Sequence, residues 1–273
     1  MNAPIVRALG WRSGWGPGLG ALPEDARRAA AGRLVVSLGR PALDEERFRR
    51  ATRDCLWAVA AVDAMLEDAG ARREAIAGAR TALIYVTAAA YGPSNRAFIE
   101  RQGAVYFPYT APAAAPAEVA IEYGLTGPLT IFIGGGVSTL RAIWHGAGLL
   151  AGATCDRVLV LAVEIFDECA DLYARVRSGE DPLVEAAGCA WLERGTGTLA
   201  LEEGVATAER DDVRRRVGET FSCEPLAALG LRRSVVAGAG PMAVSARWGG
   251  EEVTLIWGGP TSGVGAGMRE GSE

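Results

Sequence analysis

The sequence predicts an α/β fold with a parallel layer, and three observations carry that prediction. An apolar run, Leu129-Thr-Ile-Phe-Ile133, ends in Gly134-Gly-Gly136 and turns directly into an apolar helical stretch from about Val137 to Ala151. A second continuous apolar run follows at Asp156 to Glu164. Strand, helix, strand with unbroken apolar strands is the pattern of a sheet covered on both faces. With 273 residues and 49% apolar content, the chain can bury a sizeable core as one large domain or two small ones.

The elements follow in order. Ile5 to Trp11 reads as a first strand, Gly14 to Gly20 as a glycine-rich loop, and Arg33 to Leu38 as a short apolar run. Asp44 is a good N-cap for a long helix. Phe48, Cys55, Val59, Val62 and Leu66 recur at helical spacing, Gly70 stops the helix, and Arg49, Arg50, Arg53 and Asp54 form its charged face. Thr81 to Thr87 is a β-rich run leading into the turn at Tyr91-Gly-Pro93, and Ser94 caps a short helix through Arg101. Residues 103 to 117, rich in Pro, aromatics and Ala, read as a loop over a surface or site, and Ala117 to Tyr123 as a helix ending at Gly124. Gly188 to Glu193 and Thr198 to Glu202 pair as a hairpin around Gly195 to Gly197. Arg210 to Arg216 is a charged helix face, and Cys223 to Leu231 a short apolar helix. Ala243 to Trp248 and Val253 to Trp257 form a last hairpin across Gly249-Gly250. The tail, 259 to 273, is rich in Gly, Ser and charge and is expected to be disordered.

Composition removes several chemistries. The net charge of −5 argues against a nucleic-acid binder held by phosphate contacts. All 28 basic residues are Arg, so no step can use a lysine ammonium or Schiff base. His145 is the one histidine, which limits imidazole chemistry and reads as a partly buried helix residue. The five cysteines are scattered without metal-ligand spacing; they read as reduced thiols, with Cys169 and Cys189 as packing residues. No metal and no cofactor is expected. No window spans a bilayer and no export pattern is visible, so a cytoplasmic protein is expected.

Two motif readings around the glycine turn fail. A dinucleotide loop needs glycine where Thr139 stands. A serine-hydrolase elbow at Ser138 is broken by Leu140, and the sole histidine lies on the same helix. Glu164, at the end of an apolar strand, reads either as a solvated strand end or as a carboxylate with a raised pKa, the structural reading being favoured. Arg27-Arg28 and Arg214-Arg215-Arg216 read as solvated faces, or as surfaces for an acidic partner.

The segment from Phe107-Pro-Tyr-Thr to Glu164 resembles the β-ketoacyl synthases of the thiolase superfamily. Ala61-Val-Asp-Ala-Met-Leu-Glu-Asp-Ala-Gly70 resembles the family's helix end, and Thr81 to Tyr91-Gly-Pro93 its next strand and loop. Pro108 to Pro128 resembles the stretch before the nucleophile strand, Gly152 to Val160 the following strand, and Glu185-Ala-Ala-Gly to Glu193 a later one. The resemblance implies a thiolase-like, layered αβαβα fold, truncated in its second half. It implies a single domain over 1–258, with a ketosynthase-like half over 1–165 and a shortened half over 166–258.

Laying Leu140-Arg-Ala-Ile143 on the family's Leu-x-Ala-Ile places the nucleophilic cysteine at Gly136. Val217-Gly-Glu-Thr-Phe-Ser222 lies where the family carries a lysine and a histidine, which places Arg214 on the lysine and Glu219 on the histidine. The segment for the other histidine is missing. Arg247-Trp-Gly-Gly resembles the loop whose phenylalanine gates acyl entry, which places Trp248 on the gate; an ordinary hairpin turn explains it equally. No catalytic residue therefore remains. The resemblance implies a non-condensing subunit of the chain-length-factor kind, partnering an active ketosynthase or itself in fatty-acid, polyene or polyketide assembly, with an acyl carrier protein as a further partner. Phe107 and Trp248 are then candidate acyl-pocket residues. A second reading is an acyl-handling hydrolase or transferase that uses the backbone of Gly135, Gly136, Val137 and Ser138 as an oxyanion hole. A third is a structural homodimer.

Overall fold

The computed structural model describes residues 1–43, 46–101, 104–174, 180–204, 208–233 and 242–258. Asp44 and the tail from 259 lie outside them. In chain order the first elements are β1 (Asn2–Ser13), β2 (Gly16–Pro17), α1 (Ala26–Ala30), β3 (Val35–Val36), α2 (Arg53–Ala69), β4 (Thr81–Thr87), α3 (Gly92–Arg101), α4 (Ala114–Tyr123) and β5 (Leu129–Ile133). There follow α5 (Gly136–Ala151), β6 (Arg157–Glu164), α6 (Ala170–Ala174), β7 (Leu183–Val184), β8 (Ala186–Glu203), α7 (Ala208–Val217), α8 (Glu224–Arg233), β9 (Met242–Trp248) and β10 (Glu251–Gly258).

One mixed sheet runs β2-β1-β8-β6-β4-β5, and β10 with β9 continues from the far end of β8. The β4–β5 and β4–β6 ladders are parallel, as the apolar runs predict; β8 is antiparallel to both β1 and β6. Strand alternation sorts side chains to two cores. Leu83, Tyr85, Leu159, Leu161 and Cys189 face α2 and α4. Ala82, Ile84, Val158, Val160 and Ala190 face α5 and α8. The α5 residues Val137, Leu140, Ile143, Ala147 and Leu150 recur at the spacing of one helix face and are all buried. The β9–β10 hairpin packs on α5 as well, so α5 lies between the main sheet and this curled extension. After β8 the described residues add α7, α8 and that hairpin.

Several boundaries differ from expectation for identifiable reasons. The long helix begins at Arg53 after Thr52, and Glu46–Arg50 is a separate 3-10 turn. Asp54 is not on a solvated face: it is buried, and burial pushes its carboxyl up to about 6. Both α3 and α4 begin early, at Gly92 and Ala114. Pro93 and Pro116 then fall in the first turn, where a missing N–H costs no helical hydrogen bond. Ser94 is thus inside α3 rather than its cap. Part of the expected 103–117 loop is a 3-10 helix, Ala104–Thr110.

The expected hairpin around Gly195–Gly197 is instead the middle of one strand, β8. A Cβ at Gly195 would stand 2.4 Å from the Ala3 carbonyl oxygen, and one at Gly197 2.5 Å from that of Gly258. These glycines admit a neighbouring backbone; they do not reverse the chain. The Gly249-Gly250 hairpin is as expected, both glycines having positive φ, 60° and 87°.

Candidate functional site

The turn between β5 and α5 needs each of its glycines for a different reason. Gly134 has φ 148°, and its N–H donates to the Thr87 carbonyl at 2.9 Å. At Gly135 a Cβ would lie 2.1 Å from the Trp248 ring. At Gly136 it would lie 2.9 Å from Ala246 Cβ and 3.3 Å from Pro225 Cγ. At the position aligned with the family's nucleophile a side chain would therefore be crowded by β9 and the start of α8. Ser138 does not offer its N–H outward, because it donates to the Gly135 carbonyl at 2.9 Å. Of the candidate oxyanion turn, Gly136 lines the cavity described below, while Val137 points into the core.

Gly136 opens onto a cavity of about 650 Å³. Ala88 and Ala89, after β4, line one side together with Tyr173 of α6 and Phe221. Arg214, Glu219 and Glu224 line another, and Ala246, Arg247 and Trp248 of the last hairpin close it. The residues aligned from sequence as displaced nucleophile, lysine, histidine and gate, namely Gly136, Arg214, Glu219 and Trp248, thus border one space. Phe107 does not. It is 64% exposed, on the 3-10 segment, against Phe98 with ring centroids 5.8 Å apart.

Arg214 is not on a solvated face. Its Nη1 donates to Glu224 Oε2 at 2.6 Å, its Nη2 to Glu219 Oε2, and its Nε to Asp181 Oδ2 at 3.4 Å. Burial pulls its pKa down, but the Glu224 and Glu219 charges outweigh that and hold it above the ordinary guanidinium value. A guanidinium so engaged neither donates a proton nor attacks a carbonyl. Glu219 also accepts from the Phe221 N–H at 3.2 Å, so both its oxygens are engaged.

Glu164 is fully buried, not a solvated strand end. Its carboxyl accepts from the N–H groups of Ala88 at 2.7 Å, Ala89 at 3.0 Å and Ser222 at 3.2 Å, and from Ser222 Oγ at 2.5 Å. Burial is the largest influence and pushes its pKa up to about 7, against the lowering pull of those hydrogen bonds. Glu185 is a second buried carboxyl, taken up by Arg53 and by the N–H groups of Leu38, Phe166 and Asp167.

His145 is exposed, not partly buried, and faces β5, with Nε2 3.5 Å from Thr130 Oγ1. It does not line the cavity. All five cysteines are buried and free, so none presents a thiolate to the cavity. Sequence reasoning missed Tyr173, Phe221 and Glu224. Phe221 stands within the aligned segment two residues after Glu219, but its packing on Phe166, Tyr173 and Trp248 joins three distant parts of the chain. Among the described residues, no group of His, Cys, Asp and Glu is arranged to hold a metal ion, and no helix is long and apolar enough to cross a membrane.

Residues 41–178 match the family profile described as "Beta-ketoacyl synthase, N-terminal domain". No curated protein matches the chain. Among solved structures, the ishigamide ketosynthase/chain length factor superposes with a TM-score of 0.72 at 16% identity, over 93% of this chain and 99% of the other. A type II polyketide acyl-carrier protein in complex with its ketosynthase bound to the hexaketide gives 0.73 at 12% identity, over 94% and 99%. The ketosynthase ApeO in complex with its chain length factor ApeC, from Xenorhabdus doucetiae, gives 0.62 at 14% identity, over 93% and 99%. At these identities the likeness is one of fold, and the fold is thiolase-like.

Proposed function

The chain belongs to the β-ketoacyl synthase family, and we propose that within it the chain is a non-condensing subunit that pairs with an active ketosynthase and shapes the length of the chain being built. The observation that carries this reading is the cavity at Gly136. Where a condensing enzyme of the family has cysteine, histidine and lysine, this space has Gly136, crowded by Ala246 and Pro225, the carboxylate Glu219 and an arginine, Arg214, engaged with carboxylates. An acyl-enzyme has no side-chain atom to form on at position 136. The ketosynthase–chain length factor complexes among the structural neighbours support the partner role, and the carrier-protein complex supports a carrier protein as a second partner.

Pairing would use β5. It is the last strand of the sheet path, so its outer backbone edge is open among the described residues. Leu129 is 47% and Ile133 50% exposed, with Ile131 and Phe132 partly buried between them. An open apolar edge favours a partner strand. A stable interface buries roughly 1,200–2,000 Å² in total. A dimer is therefore expected in sedimentation at low micromolar concentration, with an active ketosynthase or with a second copy. A monomer both alone and with a candidate ketosynthase overturns the pairing.

Phe107 and Ala113 are both exposed on the segment between α3 and α4. Neither lines this chain's own cavity, and in the proposed pair they would line the partner's acyl tunnel. Phe107→Ala should lengthen the product of the complex. Ala113→Trp should shorten it, because added volume in a packed space costs about 1–3 kcal/mol. Mass spectrometry of carrier-bound chains reads the result; altered yield at constant length removes the chain-length role. The turn at Gly136 also keeps a second reading open to the same assay: acyl-thioester hydrolysis by the chain alone would favour an oxyanion-hole hydrolase.

A further inference from the structure

Glu164 joins two segments that border the cavity. Ala88 and Ala89 come from the end of β4, and Phe221 and Ser222 from the turn between α7 and α8; the first three line the space. Among the described residues, the hydrogen bonds linking these segments run through the Glu164 carboxyl and the Ser222 hydroxyl, the latter also 3.5 Å from the Val86 carbonyl. The Phe221 corner is strained. Its φ is 46°, a left-handed conformation that a bulky aromatic residue rarely adopts. The N–H groups on either side of that φ are held by carboxylates, Phe221 by Glu219 and Ser222 by Glu164.

Among the described residues, no positive charge is among the main influences on Glu164. Tyr85 of β4, Tyr173 of α6 and Cys223 beside Ser222 are the titratable groups that act on it, and burial raises the pKa of each, so all three are neutral through the physiological range. On the β8 side, Glu185 is taken up by Arg53, and across the cavity Arg214 is spent on its own carboxylates. The Ser222 hydroxyl can reverse: it donates to an ionised Glu164, or accepts from a protonated one while turning to Val86.

We propose that Glu164 is a proton-linked latch on this cavity, holding the strained Phe221–Ser222 corner against Ala88–Ala89 while it is protonated and easing its release on ionisation. The latch does not rest on the partner-subunit reading. The direction follows from linkage. A carboxyl that opening exposes to water ionises in the ordinary range, near pH 4.5, whereas the enclosed one holds its proton to about 7. Opening therefore releases a proton, so it becomes more favourable as pH rises from about 4.5 to 7 and levels off above.

Hydrogen–deuterium exchange of the wild-type chain from pH 5 to pH 8.5, corrected for intrinsic chemistry, tests this. The reference is exchange at Val158–Val160 in β6. The opening constant at Ala88, Ala89 and Ser222 should rise by about tenfold or more up to pH 7, then flatten. Glu164→Gln should abolish the rise. Ser222→Ala removes a donor that favours the carboxylate, so its plateau should move to higher pH. Asp54→Asn, at the other buried acid with a raised pKa, should leave the profile unchanged. A flat wild-type profile overturns the latch. So does a rise that persists in Glu164→Gln or disappears in Asp54→Asn. If Glu164→Gln does not fold, the wild-type and Ser222→Ala profiles decide.

Discussion

Replacing Arg214 by methionine is expected to cost about 3–5 kcal/mol of stability, the range for removing one partner of a buried ion pair. The size follows from what remains. Glu219 and Glu224 are 13% and 6% exposed, Asp181 28%, and all three converge on one guanidinium. Without it they are like charges in a poorly solvated wall. Arg214→Lys should recover only part of the loss, because an ammonium is a point charge and cannot span three carboxylates as a planar fork does. Adding Glu219→Gln and Glu224→Gln to Arg214→Met should recover most of it, since the repulsion then disappears. Urea denaturation midpoints at constant m measure the series. A loss near that of an exposed pair, below about 1 kcal/mol, would show that the cluster is solvated and that the cavity wall is held by other contacts.

The glycine turn, the parallel strands beside it and the α5 face were legible because each is written locally. Leu129–Ile133 has no polar interruption but Thr130, and Val137, Leu140, Ile143, Ala147 and Leu150 keep helical spacing. Gly195–Gly197 misled because glycine marks a close backbone approach as readily as a turn, and only the neighbouring strands distinguish the two. Pro93 and Pro116 misled in the opposite sense, being helix starters that resemble loop residues.

The site divides along the same line. Gly136, Arg214, Glu219 and Trp248 could be placed through the family resemblance, and they do border one space. That Arg214 is engaged with Asp181, 33 residues away, and that Glu164 meets Ser222, 58 residues away, is a property of the folded chain alone. A run of three arginines reads as a solvated face, but only the middle one is exposed. Arg215 is 54% exposed, beside Asp212, whereas Arg216 is half-buried with its Nε donating to the Pro23 carbonyl at 3.3 Å, and Arg214 turns into the carboxylates.

Gly136→Cys is expected to restore neither condensation nor a stable acyl-enzyme. The new Cβ would stand 2.9 Å from Ala246 Cβ, a short side chain on β9 that cannot swing away. Strand β9 must shift, and overpacking of this kind costs about 1–3 kcal/mol. Pairing the change with Ala246→Gly relieves the contact. The thiol then sits at the N-terminus of α5, which favours the thiolate. In that double variant, slow transfer of an acyl group from a thioester to the cysteine is expected, seen as a mass increase on the intact protein. Condensation should still be absent. Decarboxylating and capturing a malonyl unit in this family draws on imidazoles, and Glu219 is a carboxylate held by Arg214 and the Phe221 N–H. A carboxylate repels the enolate that an imidazole would stabilise. Acyl-enzyme without ketoacyl product is the signature of a site that lost more than its nucleophile. Ketoacyl product from the double variant would mean that the remaining groups suffice for catalysis, and the non-condensing assignment would have to be withdrawn.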